Sequence, residues 1–199
     1  MNCITQEIID QAFSYNSFRQ QMRELVKEGK TTGLNQSEGY VHYTKLNHQR
    51  MKRLDKTIQL EELLLKAVKD IVDDQVWLVL VEAWCGDVAQ NLPYISKMAE
   101  ENERIDLKLL LRDENPEIMD NCLTNGSRSI PKLLILKKSD LTLLEMWGPR
   151  PAPSQEMVMN YKANPGTVPY SEFSVKVQEW YNDDKGATLQ KEFKDILQG

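Results

Sequence analysis

One cysteine stands where the sequence around it favours a chemically active thiol. Cys85 comes shortly after the most apolar run of the chain, Val76 to Val81, and directly before a segment with helical spacing. A thiol at a strand-to-helix junction faces the unpaired N–H groups of the first helical turn, which favour the thiolate. Because the thiolate is the form that attacks disulfides and oxidants, this position indicates a reactive sulfur. Val88 occupies the place of the second cysteine of a Cys-x-x-Cys motif, so the thiol lacks a resolving partner.

Two interpretations of Cys85 stay open. If its pKa fell by about two units from roughly 8.5, the thiolate fraction at pH 7 would rise from about 3% to about 75%. Alternatively, Cys85 is a small apolar side chain left at a helix start. Asp87 favours the helix as a carboxylate in its first turn, but its charge opposes a neighbouring thiolate. The sequence favours the reactive thiol.

The other cysteines and the histidines offer less chemistry. Cys122 has the spacing of a helix with a buried face, which predicts an apolar filler, although a resolving role stays open. Cys3, close to the N-terminus, is most simply incidental. His42 and His48 lack the ligand spacing of a metal site, and phosphate-binding glycine loops are absent. We therefore expect neither a metal nor a cofactor.

Composition limits the class of protein. The 199 residues are 41% hydrophobic, enough for one well-buried core, and the formal net charge of −5 argues against nucleic acid or an anionic membrane as partner. The apolar runs are too short for a spanning helix, and the N-terminus lacks the pattern of a signal peptide. Three scattered cysteines do not make a disulfide framework, so we expect a cytoplasmic protein. The oligomeric state is not indicated.

Periodicity predicts mostly helices around a central group of strands. Ser17, with Gln20 three residues later, predicts the cap at which the first helical region restarts. Helices are predicted at 5–29 in two pieces, 43–56, 61–72, 87–101, 116–123, 154–162, 171–181 and 187–197, and strands at 76–83, 105–111, 132–136 and 141–147. This order predicts an α/β fold with a mixed parallel and antiparallel sheet and helices on both faces.

Four short motifs occur in order within residues 76–148. They are Trp84-Cys85-Gly86, Asp113-Glu114-Asn115-Pro116, Arg128-Ser129-Ile130-Pro131 and Trp147-Gly148. With the element order, they resemble the thioredoxin family. The resemblance implies a thioredoxin-fold core at 76–148, a helical N-terminal extension at 1–75 and extra C-terminal helices at 149–199, all in one globular unit. The extension and the Trp-Cys-Gly-Asp sequence are similar to a bacterial branch whose members are mostly described by fold alone.

The resemblance also implies roles for residues near the thiol. Pro131 corresponds to the family's cis-proline, and the backbone of Ile130 would pair with a bound peptide as a β-strand does. Trp84 and Gly86 would shape the approach to the sulfur. Asp87 stands where thioredoxins commonly have proline.

The chain departs from the family pattern at three linked positions. Val88 replaces the resolving cysteine, Val79 replaces a buried carboxylate, and Leu109 replaces a buried lysine. The proton-handling pair of a dithiol enzyme is therefore absent, as expected for a site that never forms its own disulfide.

The favoured prediction is a monothiol thiol–disulfide oxidoreductase. Cys85 would attack a protein disulfide or a sulfenic acid, and an external low-molecular-weight thiol would release the mixed disulfide. The alternative is a non-catalytic thioredoxin-fold binding module that keeps the groove beside Pro131. Peroxide scavenging at Cys85 is a third possibility. The basic stretch at 45–56 is predicted to be a solvated helix face, or else a patch for an acidic partner or an anionic thiol.

Overall fold

The computed structural model describes residues 3–164, 166 and 168–198. Helices surround a central sheet, and a single turn of 3-10 helix follows β2 at Arg112–Glu114. The helices are α1 (Gln6–Gln11), α2 (Tyr15–Glu28), α3 (Glu38–Thr57), α4 (Glu62–Lys69), α5 (Gly86–Glu100), α6 (Pro116–Asp120), α7 (Ala152–Ala163), α8 (Tyr170–Asp184) and α9 (Ala187–Gln198). The strands are β1 (Gln75–Val81), β2 (Ile105–Leu111), β3 (Lys132–Lys137) and β4 (Leu143–Trp147).

The sheet has the predicted mixture of parallel and antiparallel pairs. Its strand order is β2-β1-β3-β4, with β1 parallel to β2, β3 antiparallel to β1, and β4 antiparallel to β3. From Val76 to Val81, every side chain of β1 is buried. Since successive side chains of a strand point to opposite faces, both faces of the sheet are covered.

One face of the sheet packs on the C-terminal helix. Phe193 of α9 is fully buried and contacts two tryptophans, Trp77 of β1 at 5.9 Å between ring centroids and Trp147 of β4 at 5.2 Å. The indole N–H of Trp147 donates to Glu192 at 2.7 Å, which satisfies its polar group beside the core. Trp147 is therefore part of the core.

The N-terminal helices are joined to the sheet by backbone hydrogen bonds. Phe13, between α1 and α2, pairs with Leu109 of β2 through two bonds of 2.9 and 2.8 Å. The cap of α2 is Ser14, whose hydroxyl accepts from the N–H of Ser17 at 3.1 Å. The predicted cap at Ser17 is therefore wrong by three residues, because Ser14 satisfies the free N–H group instead.

A second, smaller hydrophobic cluster lies between α7 and α8. Its buried members are Val158, Phe173, Val177 and Tyr181. The main core contains the strands together with the faces of α2 to α5 and α9. Within the described residues, none of the helices is both long and apolar enough to cross a membrane.

Candidate functional site

Cys85 lies at the junction that the sequence predicts, between the end of β1 and the start of α5. It is the N-terminal cap residue of α5, with φ −80° and ψ 118°, and its N–H donates to the Glu82 carbonyl at 3.1 Å. The backbone N–H groups of Asp87 and Val88 interact favourably with its sulfur. The Sγ–H donates to the Ile130 carbonyl at 3.4 Å. The amide groups expected at the sulfur are therefore present.

The predicted low pKa of Cys85 is wrong. Only 8% of the residue is exposed, and burial raises the pKa of its thiol to about 12, with a further rise from the charge of Asp87. The N–H groups of Val88 and Asp87 and the guanidinium of Arg150 lower the pKa, but they do not offset the burial. Removal from water disfavours the charged form, so the thiol is neutral near pH 7.

The bond between Ile130 and Pro131 is cis, as the family resemblance predicts. Ile130 is buried, with 3% exposure, and its carbonyl already accepts the thiol hydrogen. The Ile130 carbonyl therefore already has a hydrogen-bond partner within the chain. Gly148 lies directly behind the bend, since a Cβ there would come within 2.3 Å of the Pro131 carbonyl oxygen.

A buried ion pair stands beside the thiol. The Asp87 carboxylate contacts the Arg150 guanidinium at 2.6 Å and accepts from the Tyr181 hydroxyl at 2.9 Å. Burial raises the pKa of Asp87, while Arg150 and Tyr181 act in the opposite direction. The Asn91 amide donates to the Asp87 carbonyl at 2.8 Å and to the Tyr181 oxygen at 3.0 Å. Through this network, α8 and the segment after β4 are joined to the first turn of α5.

Helix α8 also approaches the junction at Gly86. A Cβ on Gly86 would lie 3.1 Å from the side-chain nitrogen of Gln178, whose side-chain oxygen accepts from Gln90 of α5 at 2.8 Å. Helix α8 therefore packs against the start of α5, next to Cys85.

Trp84 contacts both a ring and a cation. Its indole stacks on Tyr40 of α3 with 4.7 Å between ring centroids. The Arg112 guanidinium lies over the indole, 4.8 Å from its centroid, and makes a cation–π contact. Trp84 is thus fixed next to the thiol as a flat apolar wall.

These residues border one cavity of about 810 Å³. Of the predicted site residues, Trp84, Cys85, Gly86, Asp87 and Ile130 line it, and Pro131 follows directly after its wall. The other walls come from α3, α7 and α8. A cavity of about 390 Å³ between α3, α5 and α8 does not include the thiol among its lining residues.

Several residues at the site were not among those predicted from the sequence. Arg150 stands between two prolines and Tyr181 falls on the apolar face of a helix, so neither position indicated a polar contact with Asp87. Arg50 belongs to the basic stretch at 45–56, which left a patch near the thiol as an open alternative. Arg50 lines the cavity, whereas Lys52 is exposed outside it.

A buried carboxylate is also present, although not where the family pattern has it. Glu82, at the end of β1, is fully buried, accepts from the Asp113 N–H at 2.9 Å and accepts the Thr32 hydroxyl. Burial raises the pKa of Glu82. These contacts join the loop before α3 to the turn after β2, and they give the carboxylate a structural role.

The remaining cysteines are free. Cys122 is buried in the main core and donates to the Ile118 carbonyl at 3.3 Å, which agrees with the apolar filler predicted. The sulfur of Cys3 accepts from the Asn121 amide at 3.8 Å. Among the residues that the structure describes, no three His, Cys, Asp or Glu side chains come together as a metal site.

Comparison with known proteins agrees with this architecture. A family model described as Thioredoxin matches residues 33–162, more than half of the chain. No curated protein matches it. The crystal structure of a protein of unknown function from Pseudomonas aeruginosa is similar with a TM-score of 0.63 and 17% identity, over 97% of this chain and 96% of that chain. An HIV epitope scaffold is similar with a TM-score of 0.59 and 19% identity, over 96% and 93%. At these identities the two structures show the fold alone.

Proposed function

The chain belongs to the thioredoxin family, and on that premise we propose that it is a binding protein that uses the cavity beside Cys85 without thiol–disulfide chemistry. The state of the thiol carries this proposal. Burial raises the pKa of this thiol to about 12, so Cys85 is neutral at pH 7. Nucleophilic attack on a disulfide requires the thiolate. The neutral Sγ–H donates to the Ile130 carbonyl, so Cys85 contributes to the wall of the cavity.

In this proposal the three parts of the chain have different tasks. The thioredoxin-like core, at 76–148, supplies the floor with the thiol and the cis-proline. The N-terminal extension, at 1–75, and the C-terminal helices, at 149–199, supply the side walls and act with the core as one unit. The contacts of Trp84 with Tyr40 and of Asp87 with Arg150 support this division. We propose a cytoplasmic location on the composition alone.

A disulfide-reduction assay tests the proposal. Insulin is incubated with dithiothreitol and either the wild-type chain, Cys85→Ser or the control variant Cys122→Ser. We expect reduction no faster than with dithiothreitol alone in all three samples. Turnover by the wild type and by Cys122→Ser that disappears in Cys85→Ser would contradict the proposal and establish an enzyme.

A specific observation favours a second candidate, the monothiol oxidoreductase. The N–H groups of Asp87 and Val88 still face the sulfur, and the thiol still borders an open cavity beside a cis-proline. If α8 moved away, water would reach Cys85 and these groups would favour its thiolate. Cys85 would then attack a protein or low-molecular-weight disulfide, form a mixed disulfide and release one partner sulfur as a thiolate. An external thiol would attack the mixed disulfide and restore Cys85.

Intact-mass measurement after incubation with oxidised glutathione distinguishes the two candidates. The oxidoreductase predicts one glutathione adduct that is lost in Cys85→Ser and removed by added thiol. The binding protein predicts no adduct at Cys85 while the chain is folded, and an adduct once urea exposes the sulfur.

A further inference from the structure

The cavity beside Cys85 carries a charge opposite to that of the whole chain. Among the described residues that line it are five permanent cations and two carboxylates, whereas the chain has a formal net charge of −5. The carboxylates are Asp87, which is paired with Arg150, and the exposed Glu179. Walls of one sign of charge concentrate counter-ions of the other sign, so the cavity attracts anions.

The lining cations differ in whether a carboxylate already neutralises them. Arg112 pairs with Asp113 at 2.7 Å, and Arg128 pairs at 2.6 Å with an aspartate that does not line the cavity. Arg50 and Lys162 have no acidic partner within 4 Å anywhere in the part of the chain that the structure describes. These two side chains are therefore the cations available to a ligand.

Arg50 is the better defined of the two because its side chain is half-buried and anchored. Its Nη1 donates to the Asn47 side-chain oxygen at 2.8 Å, and the fully buried Asn47 donates to the Ala83 carbonyl at 3.0 Å. A Cβ on Gly86 would lie 3.8 Å from the same Nη1, so the guanidinium stands next to the first residue of α5. Burial lowers the pKa of Arg50, because removal from water disfavours its charged form, while Asp87 acts in the opposite direction.

The rest of the wall is apolar and aromatic. Trp84 and Tyr40 form a stacked pair, and Tyr43, Tyr170 and Phe173 also line the cavity. A volume of about 810 Å³ falls within the range of roughly 300–1,000 Å³ that small-molecule sites occupy. Aromatic walls bind flat or aliphatic groups, while a fixed guanidinium binds a carboxylate, sulfonate or phosphate.

We propose that this cavity is the binding site of a small organic anion, whose acidic group contacts Arg50 and whose apolar body lies against Trp84 and Tyr40. The inference rests on the proposed binding function and names its ligand class. The peptide partner that the family resemblance implies is not favoured, because Ile130 is buried and its carbonyl is occupied by the thiol.

Two fluorescent probes that differ only in charge test the proposal. Anilinonaphthalene sulfonate carries one sulfonate, and N-phenylnaphthylamine is the same aromatic body without it. We expect the folded chain to bind the sulfonate probe at one site, about tenfold or more tighter than the neutral probe. Equal affinity for the two probes would overturn the charge argument.

Matched variants locate the site. Arg50→Gln keeps a donor for Asn47 but removes the charge. We expect this variant to bind the sulfonate probe about tenfold more weakly, while its affinity for the neutral probe is unchanged. Lys52→Gln removes the same charge from the exposed side of α3 and should change neither affinity. An unchanged sulfonate affinity in Arg50→Gln, or an equal loss in Lys52→Gln, would overturn the site.

A blocking variant keeps the test decisive if Arg50→Gln unfolds. Ser174 of α8 lines the cavity, and Ser174→Trp places an indole within it. We expect this variant to lose binding of both probes while its circular dichroism is unchanged, and retained binding would overturn the location. The two proposals can fail separately. If the chain reduces insulin through Cys85 and still binds the sulfonate probe through Arg50, the proposed function is wrong and this inference stands.

Discussion

Removal of Arg150 should destabilise the protein in a way that depends on pH. Arg150→Met leaves the Asp87 carboxylate, whose side chain is 11% exposed, with the Tyr181 hydroxyl as its remaining side-chain donor within the described residues. Loss of one partner of a buried ion pair costs about 3–5 kcal/mol. Because both side chains keep some contact with solvent, we expect about 3 kcal/mol at pH 7.

The sign of the pH dependence follows from the pKa of Asp87. Burial already raises it in the wild type, and Arg150 is the largest influence that lowers it, so the variant's pKa lies higher still. A carboxyl group with a raised pKa holds its proton more tightly in the folded state. Stability therefore falls as pH rises from the unfolded pKa of about 3.8 to the folded pKa, and it recovers as pH falls. The destabilisation relative to the wild type should shrink by up to about 1.4 kcal/mol for each pH unit between the variant's pKa and the lower pKa of the wild type.

Urea unfolding at pH 7 and pH 5, at constant ionic strength, measures both effects. The double variant Asp87→Asn/Arg150→Met removes both charges and should recover most of the stability and lose the pH dependence. An equal loss at both pH values, or a double variant as unstable as Arg150→Met, would refute the assignment of a buried charge pair.

Three further predictions concern stability and are measured by urea unfolding. Gly148→Ala should cost about 3 kcal/mol or more, because φ is +109° and the new Cβ meets a backbone oxygen. The control Gly29→Ala, with φ +65° and open space around the new Cβ, should cost only about 1 kcal/mol. Equal costs for the two variants would refute the close approach at Gly148. Phe193→Ala should cost about 3–5 kcal/mol because the ring is fully buried between two tryptophans, and a loss below about 1 kcal/mol would exclude that packing. Glu82→Gln should gain stability relative to the wild type as pH rises above the ordinary carboxyl pKa of 4.5, since burial raises the pKa of Glu82 and makes its ionisation unfavourable. A loss of stability relative to the wild type over this pH range would contradict the raised pKa.

Much of the fold follows from local sequence patterns. The continuous apolar run of β1 predicts a strand covered on both faces, and β2 was predicted with the bounds Ile105–Leu111 that the structure has. Helix ends do not follow from periodicity alone, because a cap depends on which nearby side chain reaches the free N–H groups. At α2 that side chain is Ser14 rather than Ser17.

The state of the thiol could not be predicted from local patterns. A helix N-terminus stabilises a nearby anion by about 0.3–1 kcal/mol, and up to about 2 kcal/mol in favourable geometry. The rise of the Cys85 pKa from 9.0 to about 12 corresponds to about 4 kcal/mol in the opposite direction. The larger effect comes from tertiary packing, because Gln178 and Tyr181 lie about 90 residues further along the chain.

The position of Arg50 at the cavity also depends on tertiary packing. The sequence shows a basic helical stretch, and only the packing of α3 beside the junction distinguishes the cation that faces the cavity from those that face solvent. Arg150 reaches Asp87 because the segment after β4 returns across the start of α5. Neither contact has a signature in residue spacing.

The proposed function depends on folding, which keeps Cys85 as a neutral, buried thiol. The most direct test is ultraviolet thiolate absorbance in the variant Cys3→Ser/Cys122→Ser, titrated up to about pH 10 while circular dichroism reports the fold. We expect no thiolate signal from the folded chain over this range and the appearance of one after unfolding in urea. A folded chain that titrates at or below the ordinary thiol pKa of about 8.5 would contradict it.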